Sequence, residues 1–259
     1  MCVPVYAVGV RRRSTPYTRA ARLSNTVATE LNTERKTLSR RAVIDAALAL
    51  GDKEGVEAVS LRRLARELGV TPMALYRYVD SKEGLLAAIA DRAFEEFELP
   101  AEGEGDWREE IKALGRSFRQ LLLTHPTVAA LFSSKPAEIS QNGARVVEVV
   151  LGVLKRAGFR PQEAALIESE CERFILGLVV LEVGGGPQLC PFKPGTPHSH
   201  EAAAKLALLP PDEFPNLLES LPYFDECHDA DWAFEFALDL IVGGIEHQLE
   251  SVQSQLDQG

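Results

Sequence analysis

The segment SLRRLARELGVTPMALYRYV, residues 60–79, limits the fold of this chain more than any other part of the sequence. A helix-turn-helix needs a small residue where its second helix crosses the first, and Ala65 provides it. Four positions later the turn needs a residue that tolerates a left-handed backbone, and Gly69 does so at little cost. Leu75 and Val79 then form the apolar inner face of the second helix. This joint spacing predicts a helix-turn-helix; the alternative is a helical hairpin inside an ordinary bundle.

The outer face of the second helix has the composition expected of a surface that contacts DNA bases. A helix exposed to water rarely presents two tyrosines and a methionine, whereas in the major groove such side chains meet thymine methyls and sugars. An arginine before the turn can reach guanine O6 and N7, and a lysine after the second helix can reach a phosphate. The alternative for Tyr76 is packing between the helices. The candidate DNA-binding residues are Arg62, Thr71, Pro72, Met73, Ala74, Tyr76, Arg77, Tyr78 and Lys82.

Apolar residues recur at helical spacing along almost the whole chain after residue 38. Val43, Ala47 and Leu50 lie at i, i+4 and i+7 on one helix face, and no segment shows the alternation of a strand. The sequence therefore predicts an all-α protein. In its second part, helices are expected near residues 107–124, 127–134, 141–157, 162–183 and 231–252.

In residues 38–99, polar N-cap residues mark where each of the first four predicted helices begins. Ser39, Ser60 and Ser81 each precede an apolar period and are predicted N-caps. Thr71, followed by Pro72 at the first helical position, is predicted to cap the third helix. The fourth helix is predicted to extend over residues 81–99.

Charge is distributed unequally along the chain. Residues 1–90 contain 15 Lys and Arg against 9 Asp and Glu, net +6, and the remainder has a net charge of −16, which together give −10. A basic start can approach a polyanion while an acidic remainder stays away from it. Unequal charge is common, so it supports nucleic-acid binding only in combination with the helix-turn-helix.

Composition predicts a globular protein of the cytoplasm. Hydrophobic residues make up 46% of the chain, yet no apolar run approaches the roughly 20 residues of a membrane helix. The four cysteines lie at wide, irregular spacings that predict neither a disulfide scaffold nor a zinc knuckle.

The distribution of helix signals predicts two folded domains after an N-terminal extension. Residues 1–37, rich in Arg, Ser and Thr, are predicted to be disordered, either as a basic arm that contacts phosphates or as a segment with no role. A DNA-binding domain is expected over residues 38–84 and a larger domain over residues 85–259. Helix 81–99 and the polar linker 101–106 are expected to connect them.

Over these residues the sequence resembles the tetracycline-repressor (TetR) family. Residues 38–86, LSRRAVIDAALALGDKEGVEAVSLRRLARELGVTPMALYRYVDSKEGLL, are similar to its three-helix DNA-binding domain and the start of the helix that follows. A weaker similarity over residues 97–123, FELPAEGEGDWREEIKALGRSFRQLLL, is to the branch that contains the tetracycline repressor itself.

The resemblance implies roles for individual residues of the helix-turn-helix. Arg62 is implied to contact a base, Tyr76 to lie against the sugar-phosphate backbone and Lys82 to bind a phosphate. The start of the recognition helix, Pro72–Ala74, is implied to make base and phosphate contacts. Tyr78 and Pro72 replace a histidine and a glutamine of the tetracycline repressor, which implies that a different operator is bound.

The resemblance also implies that the C-terminal domain dimerises through two helices. The residues support this independently, because the helix near 231–252 is apolar on two faces and so needs two burial partners. One stripe is Trp232, Phe236, Leu240 and Gly243; the other is Phe234, Leu238, Ile241, Ile245 and Leu249. The helix near 162–183 is apolar almost all round toward its end. A two-fold, four-helix interface is expected; the alternative is a pair of helices buried within a monomer.

The resemblance further implies a pocket for a small-molecule effector. The candidate effector-binding residues are Leu114, Phe118, Phe132, Phe174, Leu178 and Glu182, a mainly apolar set with one carboxylate. For most of them the alternative is a place in the plain core. Phe132 stands where the tetracycline repressor has the histidine that coordinates drug-bound magnesium. An apolar or aromatic effector is therefore expected rather than a tetracycline–magnesium complex.

The sequence contains no signature of an enzyme: no glycine-rich phosphate loop, no nucleophile elbow and no metalloprotease motif. His198, His200, Cys190, Cys227 and His228 lie in or near the Gly- and Pro-rich loop 184–197 and match no established metal site, so no metal and no cofactor is expected.

The predicted function is that of a ligand-responsive, DNA-binding transcriptional regulator, most simply a repressor. Its predicted partners are double-stranded operator DNA, a small-molecule effector and a second copy of the chain, with no membrane. Two alternatives stay open at this point. One is a DNA-binding protein that responds to no effector, and the other is an enzyme that uses the C-terminal pocket.

Overall fold

A computed structural model describes residues 38–100, 105–134, 140–183, 201, 204–224 and 230–256. These residues form α-helices and one short 3-10 turn, with no strand among them, as the periodicity predicts. The helices are α1 (Arg40–Glu54), α2 (Leu61–Leu68), α3 (Pro72–Leu75), α4 (Lys82–Phe94), α5 (Trp107–Thr124), α6 (Pro126–Ser134), α7 (Gln141–Ala157), α8 (Pro161–Val183), α9 (Pro215–Phe224) and α10 (Ala230–Leu256). The predicted extension 1–37 and the loop 184–197 lie outside the described residues.

Serine caps begin the helices where the sequence places them. The hydroxyls of Ser39, Ser60 and Ser81 each accept a hydrogen bond from the backbone N–H three residues later, at 3.1, 3.2 and 2.9 Å. Each bond satisfies one of the N–H groups that the first helical turn leaves unpaired.

Two predictions about helix ends are wrong. The Thr71 side chain makes no capping hydrogen bond, and α3 is a single turn that continues as the turn 76–78. The fourth helix ends at Phe94 rather than near residue 99, although Phe97 remains buried beyond its end. In both segments the apolar residues beyond the helix end, Val79 and Phe97, stay buried although the backbone is no longer helical. The spacing of apolar residues alone cannot distinguish such a segment from a continued helix.

Helix α1 packs against α2, α4 and α6, and α2 in turn packs against α3. Val43, Ala47 and Leu50 line the buried face of α1, and Leu64 of α2 and Leu85 of α4 are buried as well. Since α6 belongs to the second part of the chain, the predicted DNA-binding segment shares its core with the helices that follow.

In the second part of the chain, α5 is the central helix and packs against α6, α7, α8 and α10. Its buried residues Leu114 and Leu122 lie in a core with Val153, Val179 and Leu238 of the surrounding helices. Over the described residues, no helix has both the length and the hydropathy needed to span a bilayer.

A row of ion pairs holds α10 antiparallel against α5. Basic residues one turn apart on α5 face acidic residues one turn apart on α10. The pairs are Lys112–Asp239 (2.7 Å), Arg116–Glu235 (2.7 Å) and Arg119–Asp231 (2.6 Å), and Arg108 pairs with Glu246. Exposed pairs of this kind contribute little stability each, about 0–1 kcal/mol, but together they favour one register between the helices.

The closest approach between α1 and α6 depends on a glycine. A Cβ atom at Gly51 would lie 2.5 Å from Oγ1 and 2.8 Å from Cγ2 of Thr127, a buried, β-branched residue with little freedom to move. The two helices can therefore pack this closely only because residue 51 has no side chain.

Gly51→Ala is expected to destabilise the protein by about 1–3 kcal/mol, because the added methyl overpacks the α1–α6 contact. Gly152→Ala in α7 is the matched control, since its methyl would meet only the Arg156 guanidinium at 3.7 Å. That control should be neutral or stabilising by up to about 1 kcal/mol. Denaturant unfolding followed by circular dichroism measures both; equal stabilities would contradict the proposed close packing.

Candidate functional site

The turn between α2 and α3 has the geometry that a helix-turn-helix requires. Gly69 has φ 65° and ψ 31°, the left-handed conformation, and the N–H of Val70 donates to the carbonyl of Ala65 at 2.9 Å. Ala65, Leu75 and Val79 are buried, as their spacing predicts. Because the inner face of α3 is anchored in this way, its other face is directed outward.

The nine candidate DNA-binding residues lie on α2, on α3 with its N-cap and the turn 76–78 that follows, and on the first turn of α4; none of them is buried. Met73 is 76% exposed and Tyr76 52% exposed, so the alternative of a core position for Tyr76 does not describe this structure. Ala74 and Tyr78 are half-buried. We call this set the recognition surface: Arg62, Thr71, Pro72, Met73, Ala74, Tyr76, Arg77, Tyr78 and Lys82.

The basic residues near the recognition surface divide into two groups. Arg63 is held in ion pairs with Glu54 and Glu67, both at 2.7 Å, so its charge is already matched. By contrast, no carboxylate of the described residues pairs with Arg62, Arg77 or Lys82. Their positive charges remain available to a polyanion.

A buried histidine joins three helices between the recognition surface and the second part of the chain. His125, only 8% exposed, precedes α6. Its Nδ1 lies 2.7 Å from Oδ2 of Asp52 in α1, and its Nε2 lies 3.2 Å from Oε2 of Glu96 just after α4. Oδ1 of Asp52 also accepts from the backbone N–H of Thr127 at 3.3 Å. Both ends of the imidazole therefore contact carboxylates of other helices.

No prediction from the sequence assigns a role to His125. Its two carboxylate partners are 73 and 29 residues away in the chain, so no local spacing indicates them. The hydrogen bond from His125, together with the charge and hydrogen bond of Arg92, lowers the pKa of Glu96 below its usual value of 4.5.

A partly open cavity of about 270 Å³ lies among α4, α5, α6, α7, α8 and α10. One wall is aromatic: the Phe94 ring lies 5.8 Å from that of Phe132 and 6.4 Å from that of Phe118, between centroids. Val147 and Ile175 are among the aliphatic residues that line it. The volume lies near the lower end of the range for small-molecule sites, about 300–1,000 Å³.

Three of the six candidate effector-binding residues line this cavity: Leu114, Phe118 and Phe132. Phe174, Leu178 and Glu182 do not. The cavity lies against the turns of α8 from Ile167 to Ile175, and Leu178 and Glu182 follow those turns. Phe174 is partly exposed instead, and Glu182 forms an ion pair with Arg119 at 2.8 Å.

Apart from Ser140, which caps α7, the polar residues of the cavity come from α8, a helix that the sequence predicts only to be apolar toward its end. Glu168, Cys171 and Glu172 of α8 line the cavity. Burial raises the pKa of Glu168 and of Glu172, and the nearby charge of Glu172 raises that of Glu168 further. Burial also raises the pKa of the Cys171 thiol to about 11, so this thiol is protonated and unreactive at neutral pH.

The loop residues considered for metal binding, His198, His200, Cys190, Cys227 and His228, lie outside the described residues. Within the part of the chain that the structure covers, no cluster of three or more His, Cys, Asp or Glu side chains is arranged to hold a metal ion.

The face of α10 opposite its buried side chains is apolar and exposed. Phe234, Leu238, Ile245 and Leu249 are buried, whereas Trp232, Phe236 and Leu240 on the other stripe are 58%, 53% and 62% exposed. The Trp232 and Phe236 rings stack with centroids 5.6 Å apart. Farther along, a Cβ at Gly243 or Gly244 would meet nothing within 4 Å. We call Trp232, Phe236, Leu240, Gly243 and Gly244 the exposed face of α10.

Two family profiles match most of the described chain. The profile described as "Bacterial regulatory proteins, tetR family" matches residues 43–89, and "Tetracyclin repressor-like, C-terminal domain" matches residues 99–249.

Individual proteins are similar to the chain over different lengths. An HTH-type transcriptional regulator of Saccharopolyspora erythraea is 32% identical over 145 residues, which is 56% of this chain and 61% of that protein. The class D tetracycline repressor protein of Escherichia coli is 29% identical over 220 residues, 83% of this chain and 92% of that protein.

Among solved structures, the chain is similar to the TetR-family protein ActR of Streptomyces coelicolor in complex with actinorhodin. The two share 27% of their residues with a TM-score of 0.70, and the match covers 82% of this chain and 98% of that one.

Stability at low pH is expected to depend on Glu96. Because its pKa is lowered in the folded protein, its contribution is complete above about pH 4.5 and is lost as the pH falls through the lower folded-state pKa. Glu96→Gln should therefore be less stable than the wild type at pH 7, and the difference should shrink below pH 4.5. Melting temperatures across pH 3–7 measure it. Glu57→Gln, an exposed carboxyl before α2, is the control; the same pH dependence in both variants would contradict the assigned contact.

Proposed function

The chain belongs to the tetR family of bacterial regulatory proteins, and from this membership we propose that it is a dimeric transcriptional repressor that a small molecule releases from its operator. The observation that supports this most directly is the outward direction of α3. Met73 and Tyr76 are exposed while Leu75 and Val79 anchor the helix from within. A protein of this kind acts in the cytoplasm, where its operator is. We assign it no catalytic activity.

The recognition surface is suited to a major groove. Arg62 can donate two hydrogen bonds to guanine, Met73 and Ala74 can contact thymine methyls, and Tyr76 can lie against a sugar. The Thr71 hydroxyl is not used to cap α3, so it can donate to a phosphate. Lys82, exposed at the start of α4, supplies a charge for the backbone.

The exposed face of α10 supports dimerisation. Three large apolar side chains one turn apart are costly to leave in water, and two glycines on the same helix allow a partner helix to approach closely. Leu166, Phe174 and Leu181 leave part of α8 apolar and exposed as well. We propose that α8 and α10 pair with their two-fold mates, so that two recognition surfaces bind successive half-sites.

The cavity is the proposed effector site. Its aromatic wall favours a flat, apolar ligand, and the similar structure of ActR contains actinorhodin. Phe132, in place of a metal-binding side chain, favours an effector other than tetracycline–magnesium.

The contacts of α6 provide a path from the cavity to the DNA-binding helices. Phe132 of α6 lines the cavity, and the first turn of the same helix packs on α1 through Thr127 and Gly51. His125 ties the start of α6 to Asp52 of α1. A ligand that displaces α6 would therefore tilt α1 and the recognition surface, so that the two surfaces of a dimer no longer match their half-sites.

Arg62→Ala and Tyr76→Ala are each expected to weaken operator binding by about tenfold or more, with helicity and dimer mass unchanged, because each removes a groove contact. Lys82→Ala should weaken binding to all sequences similarly and lower the slope of log K against log salt by about 1. Fluorescence anisotropy with DNA from the region flanking the gene, at several salt concentrations, measures these effects.

The matched control for these variants is Arg145→Ala, which removes an exposed arginine from α7, away from α2 and α3. It should bind the operator as the wild type does. Wild-type affinity in all three test variants would reject the recognition surface, and with it the proposed mode of DNA binding.

Phe236→Glu is expected to convert the dimer into a monomer, because it places a charge in the proposed α10 interface. The wild type should sediment at twice the chain mass of 28.4 kDa and the variant at once that mass, with circular dichroism unchanged. Gln120→Glu adds the same charge to an exposed position of α5 and should stay dimeric. If Phe236→Glu sediments as a dimer, the interface lies elsewhere.

A further inference from the structure

The lining of the cavity is mainly apolar, and along one edge two carboxylates lie one turn apart. Glu168 and Glu172 occupy positions i and i+4 of α8 and both line the cavity. Of the described residues that line it, none is Lys, Arg or His. The cavity thus combines an aromatic wall on one side with acidic groups on another.

Several other carboxylates of these helices are paired with basic residues. Glu110, which is buried, contacts the guanidinium of Arg156 at 2.5 Å, and Glu182 pairs with Arg119. The acidic side chains of α10 that face α5 are paired as well. In each of these contacts between helices, an arginine or a lysine accompanies the acidic residue.

Glu168 and Glu172 differ from this pattern. Arg173, the adjacent basic residue on α8, has its guanidinium paired with Glu170 on the exposed side. Among the described residues, the hydroxyl of Ser169 donates one long hydrogen bond, 3.4 Å, to the Glu168 carboxylate. Burial raises the pKa of both groups, and the nearby charge of Arg173 offsets this rise only in part.

Glu168 is half-buried and Glu172 remains open to solvent, and no basic residue of the described lining lies beside them in the cavity. A positively charged ligand would therefore gain charge-assisted contacts with both carboxylates, whereas an anion would be repelled. Given the proposed function, in which this cavity binds the effector, we propose that the effector is an amphiphilic cation. Its aromatic body would lie against Phe94, Phe118 and Phe132, and its protonated amine would lie between Glu168 and Glu172. The small cavity volume suits a ring system of about two fused rings with a short amine arm.

The test uses three probes that share one aromatic body and differ in charge: 1-naphthylmethylamine, 1-naphthalenemethanol and 1-naphthoate. Binding to the purified full-length protein at pH 7 is measured by titration calorimetry in the presence of EDTA. The amine should bind at least about tenfold more tightly than the alcohol, and the carboxylate should bind most weakly. EDTA excludes a bridging divalent ion; if the amine binds tightly only when Mg²⁺ replaces EDTA, the proposal is wrong.

The Glu168→Gln/Glu172→Gln double variant tests whether these two side chains cause the preference for the amine. It should bind 1-naphthalenemethanol as tightly as the wild type does, and it should bind 1-naphthylmethylamine no more tightly than the alcohol. Glu170→Gln, which removes a carboxylate from the exposed side of the same helix, is the control and should keep the wild-type preference.

The outcomes separate this inference from the proposed function. If the alcohol binds the wild type as tightly as the amine does, or if the double variant retains the preference, the cationic effector is rejected while the cavity remains a ligand site. If none of the three probes binds at millimolar concentration, the cavity is not a ligand site, and both this inference and the proposed ligand response fail.

Discussion

The contact between the end of α1 and the start of α6 holds the DNA-binding helices to the rest of the described chain. Gly51 allows the two helices to approach until Thr127 fills the space beside it. One residue on, Asp52 binds the buried ring of His125, whose other nitrogen contacts Glu96. Because buried polar groups are costly to leave unpaired, α1, α4 and the α5–α6 junction keep this arrangement together. The proposed response to an effector depends on this contact, because it links α6 to α1.

Three features of the described chain remain exposed or unmatched, and each corresponds to one of the proposed partners. The recognition surface leaves Met73 and Tyr76 in water with arginines that no carboxylate matches, which a DNA groove would cover. The exposed face of α10 leaves Trp232 and Phe236 uncovered, which a second chain would bury. Glu168 lines an apolar cavity that contains no cation among its described residues, which a charged effector would provide. A DNA groove, a second chain and a positively charged effector would each complete one of these three sites.

Prediction from sequence was most accurate where neighbouring residues decide the structure. The capping serines and the left-handed Gly69 lie where the sequence places them, because capping and turn formation depend on residues within one turn. The predictions for the Thr71 cap and for the end of α4 were wrong, because apolar side chains there stay packed without a longer or regularly capped helix. Of the effector candidates, Phe132 lines the cavity and Glu182 does not, since an apolar pattern indicates a buried face without indicating what that face meets.

The sequence by itself determined the helical fold, the helix-turn-helix and the two-faced character of α10, because all of them follow from spacings within a few turns. The tertiary structure alone decided which side chains meet across the chain: His125 with partners 29 and 73 residues away, and the acidic edge of α8 with the aromatic wall of the cavity. The physical reason is that helix formation is governed by local hydrogen bonds, whereas the relative positions of helices depend on how all of their surfaces pack together.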